Sequence, residues 1–342
     1  MAAVAPEKNP LRPLDYTAAG DVPDSHVWFP FDESKLNDIS GTPADVAVPV
    51  IDLAAPLAAQ FDKVRIACEK TGMFQVINHG VPPAVIAAAE EQCLRLFNLP
   101  AELKQAALRQ PGPGSAGYGH IPIQPFFAKK MWHEGFTIHG SPADLVKNYW
   151  PETYLEFCDV MDTYQNAMHE LARKTAIMIL ESMGAAVAGN IDLAAYMGTR
   201  ALQLNYYPVC PDPTHALGLA PHTDTTVVTV LHQNYEGLQV FEEGEGWVEV
   251  SPVAGGLVIN IGDFLHMMSN GRFASALHRV IPDKMNERIS MAFFTMPLPE
   301  QVVAPLMLKS VPFPKFRSVA MKDFMKVKYE QLYKAIPMMK IA

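Results

Sequence analysis

Residues 202–294 read as a series of short β segments: LQLNYY (202–207), TVVTVLHQ (226–233), GLQVFEE (237–243), GWVEV (246–250), GLVINIG (256–262), ALHRVI (276–281) and RISMAFF (288–294). β-Branched and aromatic side chains fill them, and Gly, Pro and Asn punctuate the gaps, which is the composition of a half-buried pleated surface with marked ends. A recurrence of roughly 8–12 residues predicts a sandwich or barrel.

Upstream the pattern changes. Residues 46–53 (VAVPVIDL) and 73–77 are strand-like, whereas 56–70, 84–97 and 151–184 are helix-like. In the last of these, Tyr164, Met168, Leu171, Thr175 and Met178 recur at three- and four-residue spacing, one face of a helix. Residues 110–119 (QPGPGSAGYG) form a loop by composition, and 321–332 a final helix. The expected organisation is an extended N-terminal arm over 1–45 and a helical and β layer over 46–200. A β core over 201–300 and a C-terminal segment with a helix over 301–342 follow, all in one compact domain.

Composition narrows the function. The chain has 342 residues, 27 Lys+Arg against 36 Asp+Glu, a formal net charge of −9, and 49 % hydrophobic residues. Such a chain has apolar surface enough for a large core and lacks the basic field of a nucleic-acid binder. A membrane span needs about 20 apolar residues in a row, and the most apolar stretch, in 175–189, is broken by Glu181. The first residues carry Glu7, Lys8 and prolines where a signal peptide needs an apolar core. Cys68, Cys93, Cys158 and Cys210 stand far apart without a CxxC pair. The expectation is a cytoplasmic protein with reduced thiols, no nucleic-acid or membrane partner, and an oligomeric state that the sequence leaves open.

The chemistry-bearing residues fall in the β half. In His222-Thr223-Asp224, side chains two apart on an extended strand share a side, so an imidazole and a carboxylate can meet one ion. His278 stands 54 residues beyond Asp224 in another β run. Two histidines and a carboxylate on one face leave the opposite coordination positions open, the donor set of non-haem Fe(II) sites. Arg288 and Ser290 alternate on a third run and together offer a guanidinium and a hydroxyl to a carboxylate. Asn205 and Tyr207, in NYYPVCP (205–211), add an amide and a phenol.

NYYPVCP, HTD (222–224), HRV (278–280) and RIS (288–290), in that order, resemble the plant-type 2-oxoglutarate and iron(II)-dependent dioxygenases. VPVIDL (48–53) and GMFQVINHGV (72–81) extend the resemblance over about residues 46–300. SAGYG (115–119), MWHEGFTIHGSP (131–142), ALQLNYYPVCPDP (201–213), HTDTTVVTVLHQN (222–234) and LHMMSNG (265–271) are similar to its gibberellin 3-oxidase branch.

The resemblance implies a mainly β fold with α: a distorted double-stranded β-helix (jelly-roll) core flanked by N-terminal helices. It implies Fe(II) held by His222, Asp224 and His278. The cosubstrate 2-oxoglutarate is placed on Arg288 and Ser290 with Tyr207, and with Asn205 nearer its iron-bound end. With O2, and ascorbate in support, the implied reaction is hydroxylation through a ferryl intermediate with succinate and CO2 as co-products. The substrate is a gibberellin-like small molecule, a diterpenoid acid, struck at C-3.

The alternatives are a gibberellin 2-oxidase or another oxidase of a hydrophobic plant metabolite, a zinc hydrolase, or a binding protein that has lost turnover. For the substrate wall, Phe294 shares a strand face with Ser290, and Trp132, Phe126 and Phe136 are further candidates, each with core packing as its competing role. Lys129, Lys130 and Arg109 are candidates for the substrate's carboxylate. His79 reads as a turn residue, and His232 and His266 as histidines of β runs away from the ion.

Overall fold

The computed structural model describes residues 16, 19–28, 48–110, 112, 114–119, 121, 123–147, 150, 154–184, 191–306 and 313–341. Most of the expected N-terminal arm, residues 1–15, 17–18 and 29–45, lies outside the described residues.

Two sheets build the core. The strands are β1 (Val50–Asp52), β2 (Met73–Ile77), β3 (Gly117–Tyr118), β4 (Glu134–His139), β5 (Thr199–Tyr207), β6 (Leu219–His222), β7 (Val228–Gln233), β8 (Leu238–Glu242), β9 (Gly246–Glu249), β10 (Leu257–Ile261), β11 (His278–Val280) and β12 (Arg288–Met296). Among the described residues, one eight-stranded sheet runs β1-β2-β10-β7-β12-β5-β4-β3, and a four-stranded sheet runs β6-β11-β8-β9. The pairings are antiparallel except β1 with β2. The protein therefore has the double-stranded β-helix core with flanking helices, and β1 and β2, from the first quarter of the chain, complete its large sheet.

The period of 2 along each strand decides which side chains meet the site. On β12, Met291 and Phe293 enter the main hydrophobic core, while Arg288, Ser290, Ala292 and Phe294 line a cavity between the sheets. On β5, Leu202 and Leu204 face the core, and Ala201, Gln203, Asn205 and Tyr207 face the cavity. Strand β7 divides likewise, Val228 and Val230 inward, Thr229 and Leu231 towards the cavity.

Helices cover the core face. They are α1 (Leu57–Lys70), α2 (Pro83–Phe97), α3 (Ala101–Ala106), α4 (Ala143–Val146) and α5 (Tyr154–Ser182). The stripe expected on α5 is buried: Tyr164, Met168, Leu171, Thr175 and Met178 all lie inside. Gly72 closes α1 at φ +70, where a Cβ would meet the Ala274 carbonyl oxygen at 2.2 Å, so glycine is required by both conformation and space. Several short helices escaped the sequence reading, α3 and the Asp263–Met268 helix among them. α3 has no buried residue and hence no apolar stripe to betray it. The Asp263–Met268 helix interrupts the β half, so His266 sits on a helix, its Nδ1 2.6 Å from the Phe273 carbonyl, and not in a β run.

Candidate active site

His222 ends β6 and His278 begins β11, and the two are direct partners in that antiparallel pair. Their ring centroids are 4.2 Å apart. Each Nδ1 lies 2.9 Å from a carbonyl two residues back, Ala220 for His222 and Ala276 for His278. A carbonyl only accepts, so Nδ1 carries the proton and both Nε2 lone pairs turn to the same point. Asp224 Oδ1 lies 3.7 Å from His222 Nε2 and 3.9 Å from His278 Nε2.

The carboxylate arrives by a different route from the one expected. β6 stops at His222, and Asp224 stands in the turn beyond it. Its backbone carbonyl accepts from the Asp263 N–H at 2.8 Å, and its Oδ2 accepts from the Thr229 hydroxyl at 2.7 Å. These bonds, and not strand alternation, aim Oδ1 at the histidines.

All three groups are buried. Burial, aided by the neighbouring His278, holds the His222 imidazole well below its ordinary pKa, which keeps it an unprotonated donor. For Asp224 burial acts upward, but the two imidazoles and hydrogen bonds from Thr229 and Asn260 prevail and hold it below the usual carboxylate range. Two imidazoles and a carboxylate, with ligand atoms all within 4.8 Å of one another, fit a divalent ion that takes nitrogen and oxygen donors.

The second constellation lies along the same cavity. Strand register sets Arg288 opposite Tyr207 and Ser290 opposite Asn205. The Arg288 guanidinium is buried, donates from Nη2 to Gln233 Oε1 at 2.8 Å and from Nε to the Tyr235 carbonyl at 3.2 Å, and stacks 4.9 Å from the centre of the Tyr207 ring. Its Nη1 has no hydrogen-bond partner, and no carboxylate pairs with it among the described residues. Burial lowers the Arg288 pKa and raises that of Tyr207, each offset by the other's presence. A buried cation with an unused donor calls for an anion. The distal carboxylate of 2-oxoglutarate has the required charge and shape. Asn205 donates to Ser290 Oγ at 3.2 Å and so belongs to this cluster.

Metal-type ligands and anion cluster line one cavity of about 230 Å³ (the volume open to the centre of a water molecule). Phe294 and Phe126 line it as well. Trp132 and Phe136 do not. Trp132 is fully buried against Tyr16 and donates to the Pro208 carbonyl at 3.1 Å, and Phe136 packs 5.6 Å from Trp150 in the core. Their expected place on the substrate wall is corrected: Phe136 points to the core face of β4, and Trp132 lies just before that strand in a satellite cluster.

The sequence reading missed the roof. Met325, Lys328, Tyr329 and Leu332, from the Met321–Gln331 helix and its exit, close the cavity. Lys328 Nζ donates to Asp263 Oδ2 at 2.7 Å and to Thr223 Oγ1 at 2.8 Å, and the Tyr333 hydroxyl donates to the Pro221 carbonyl. Both contacts land beside His222. The helix was legible, but nothing in its sequence says where it docks.

Two other histidines behave as expected. His79 accepts from the Val81 N–H at 3.1 Å and bonds the Gly255 carbonyl at 3.0 Å, fixing a turn. His232 pairs with Glu90 at 3.0 Å, away from the cavity. The four cysteines are buried and free. No described helix is long and apolar enough to cross a membrane.

The fold and these two constellations define an Fe(II)- and 2-oxoglutarate-dependent oxygenase. The family model for the 2OG-Fe(II) oxygenase superfamily matches residues 198–297, and that for the non-haem dioxygenase N-terminal region matches residues 48–153. The chain belongs to the 2OG-Fe(II) oxygenase superfamily. Among curated proteins it is 38 % identical to gibberellin 3-beta-dioxygenase 1 of Pisum sativum over 94 % of this chain and 88 % of the relative. It is likewise 38 % identical to gibberellin 3-beta-dioxygenase 1 of Arabidopsis thaliana, over 95 % of this chain and 92 % of that one. Among solved structures it resembles JOX2, crystallised in complex with 2OG, Fe and JA, at TM-score 0.77 and 26 % identity, covering 95 % of each chain.

Proposed function

We propose that this protein is a gibberellin 3-beta-dioxygenase, hydroxylating C-3 of a gibberellin with 2-oxoglutarate as cosubstrate. The observation that carries the reading is 38 % identity to enzymes of that name across 94–95 % of the chain, the cavity-lining strands included. Its substrate is a small molecule, and we place its action in the cytoplasm.

In this reading His222, Asp224 and His278 hold Fe(II), and Arg288, Ser290, Tyr207 and Asn205 hold 2-oxoglutarate. With the ion and cosubstrate bound, the chemistry supplied would be reduction of O2 by the oxidative decarboxylation of 2-oxoglutarate, one oxygen atom ending in succinate and the other converting an unactivated C–H to C–OH, with CO2 released. The chain's own residues do the rest. Ala220 and Ala276 carbonyls fix both imidazoles with Nε2 unprotonated. Thr229 fixes the carboxylate. Arg288 neutralises the distal carboxylate of the cosubstrate and, through Ser290, shares a strand face with Phe294, which contacts the substrate. Apolar walls such as Leu231, Leu238 and Val280 exclude water, and the fixed walls select which carbon lies nearest the metal. Ascorbate would serve to keep a bound iron ion ferrous.

The test is incubation of the purified protein with a panel of gibberellins, 2-oxoglutarate, Fe(II) and ascorbate, with products read by mass spectrometry. Product hydroxylated at C-3 is expected. Product at C-2 moves the assignment to a gibberellin 2-oxidase, and no product from any gibberellin refutes it.

A further inference from the structure

The cavity has a second cationic end. Moving along β5 from Tyr207 to Ala201, the facing residues change from Arg288, through Ser290 and Ala292, to Phe294 on β12. On the other side, β4 sets Thr137 opposite Gln203 and His139 opposite Ala201. At about 3.4 Å per residue, Thr137 and His139 stand more than 10 Å from the level of Arg288. Ser115, Thr137 and His139 line the cavity there.

Directly behind them is Arg109. Its Nη2 donates to Thr137 Oγ1 and, at 3.4 Å, to the Gly117 carbonyl. Its Nε and Nη1 are buried and have no hydrogen-bond partner among the described residues, the condition also found at Nη1 of Arg288. Among the described residues no carboxylate pairs with Arg109, and burial alone pushes its pKa down to about 10. The other cation at the cavity, Lys328, is already neutralised by Asp263. Lys129 is exposed and bonds the Asp24 carbonyl, and neither it nor Lys130 lines the cavity.

We infer that the end of the cavity formed by Ser115, Thr137 and His139 seats the carboxylate of an apolar polycyclic acid, with Arg109 as its counter-charge. The inference deepens the proposed function, and rests on its claim that the substrate is such an acid. Thr137 couples the two ends. Its hydroxyl accepts from Arg109 and donates to Gln203 Oε1, Gln203 Nε2 donates to Asn205 Oδ1 at 3.0 Å, and Asn205 donates to Ser290. A carboxylate at one end and 2-oxoglutarate at the other would be held by one hydrogen-bonded chain, which fixes the carbon skeleton between two charges.

The experiment compares a gibberellin acid with its methyl ester on the full chain and on Arg109→Met. The wild type should prefer the acid by about 30-fold or more in kcat/KM, since the ester leaves a buried cation unpaired. Arg109→Met should lose that preference, chiefly through KM for the acid. A merely structural arginine would lower Tm without moving the acid-to-ester ratio, whereas loss of an unpaired buried cation leaves Tm equal or higher. Should Arg109→Met fail to fold, Arg109→Lys replaces it and should show an intermediate preference. An unchanged ratio in the variant, or no preference in the wild type, overturns the inference. If the wild type converts no gibberellin, the functional reading fails separately. Calorimetry of the same acid and ester then decides the anion site: acid-selective binding in the wild type alone supports it, and equal binding overturns it.

Discussion

The two ends of the cavity are built by different means. At the metal-type end every group comes from a strand or the turn after one, and register alone sets His222 against His278, Arg288 against Tyr207 and Ser290 against Asn205. At the far end, walls come from the Ser115 loop and strand β4, the latter in register between β3 and β5, while the C-terminal helix that roofs the cavity is held by side-chain bonds. The metal-type and anion groups thus rest on the sheet, and the far walls add a loop and a helix to it.

The largest expected effect breaks the first end. His222→Ala should cut turnover by about a thousandfold or more and abolish Fe(II) binding measured by metal analysis, because it removes a ligand while leaving the cavity open. Retained activity would remove His222 from the site.

Lys328→Met attacks the join between the ends. It leaves the Asp263 carboxylate buried without its cation, at a cost of about 3 kcal/mol, visible as a lower Tm. The double variant Lys328→Met with Asp263→Asn should recover much of it; no recovery would show that the pair is not the source.

Arg288→Ala is expected to raise the KM for 2-oxoglutarate by roughly 100-fold with a smaller change in kcat. Equal loss in both parameters would assign Arg288 to the chemical step instead.

Thr229→Val deletes the bond that orients Asp224 and should weaken Fe(II) affinity by about 10-fold, read by titration.

The smallest contrast sharpens the division between cavity and core. Phe294→Ala should change substrate KM and the distribution of hydroxylated products with modest loss of stability. Phe136→Ala, on the core face, should cost about 3 kcal/mol of stability and leave product distribution intact.

What could be read in advance follows from what is local. The RIS triplet announces itself because two residues two apart on a strand share a side. The stripe of α5 is legible because its period survives any packing. Phe294 and Phe136 look alike in one dimension, yet one lines the cavity and the other the core, since the facing of a strand depends on which sheet face is filled. Asp224 was assigned to the right partners by the wrong geometry, because a turn held by Asp263 and Thr229 has no short-range signature.

By itself the sequence determined the β-rich core, the long helix, the donor set of two imidazoles and a carboxylate, and the guanidinium and hydroxyl nearby, all consequences of residue type and alternation. Only the tertiary structure decided that His278 lies across from His222, that the C-terminal helix roofs the cavity, and that Arg109 stands behind its far wall with no carboxylate beside it among the described residues. Those facts depend on contacts between segments tens to hundreds of residues apart. Such contacts are fixed by the register and packing of the whole chain and by no stretch of it alone.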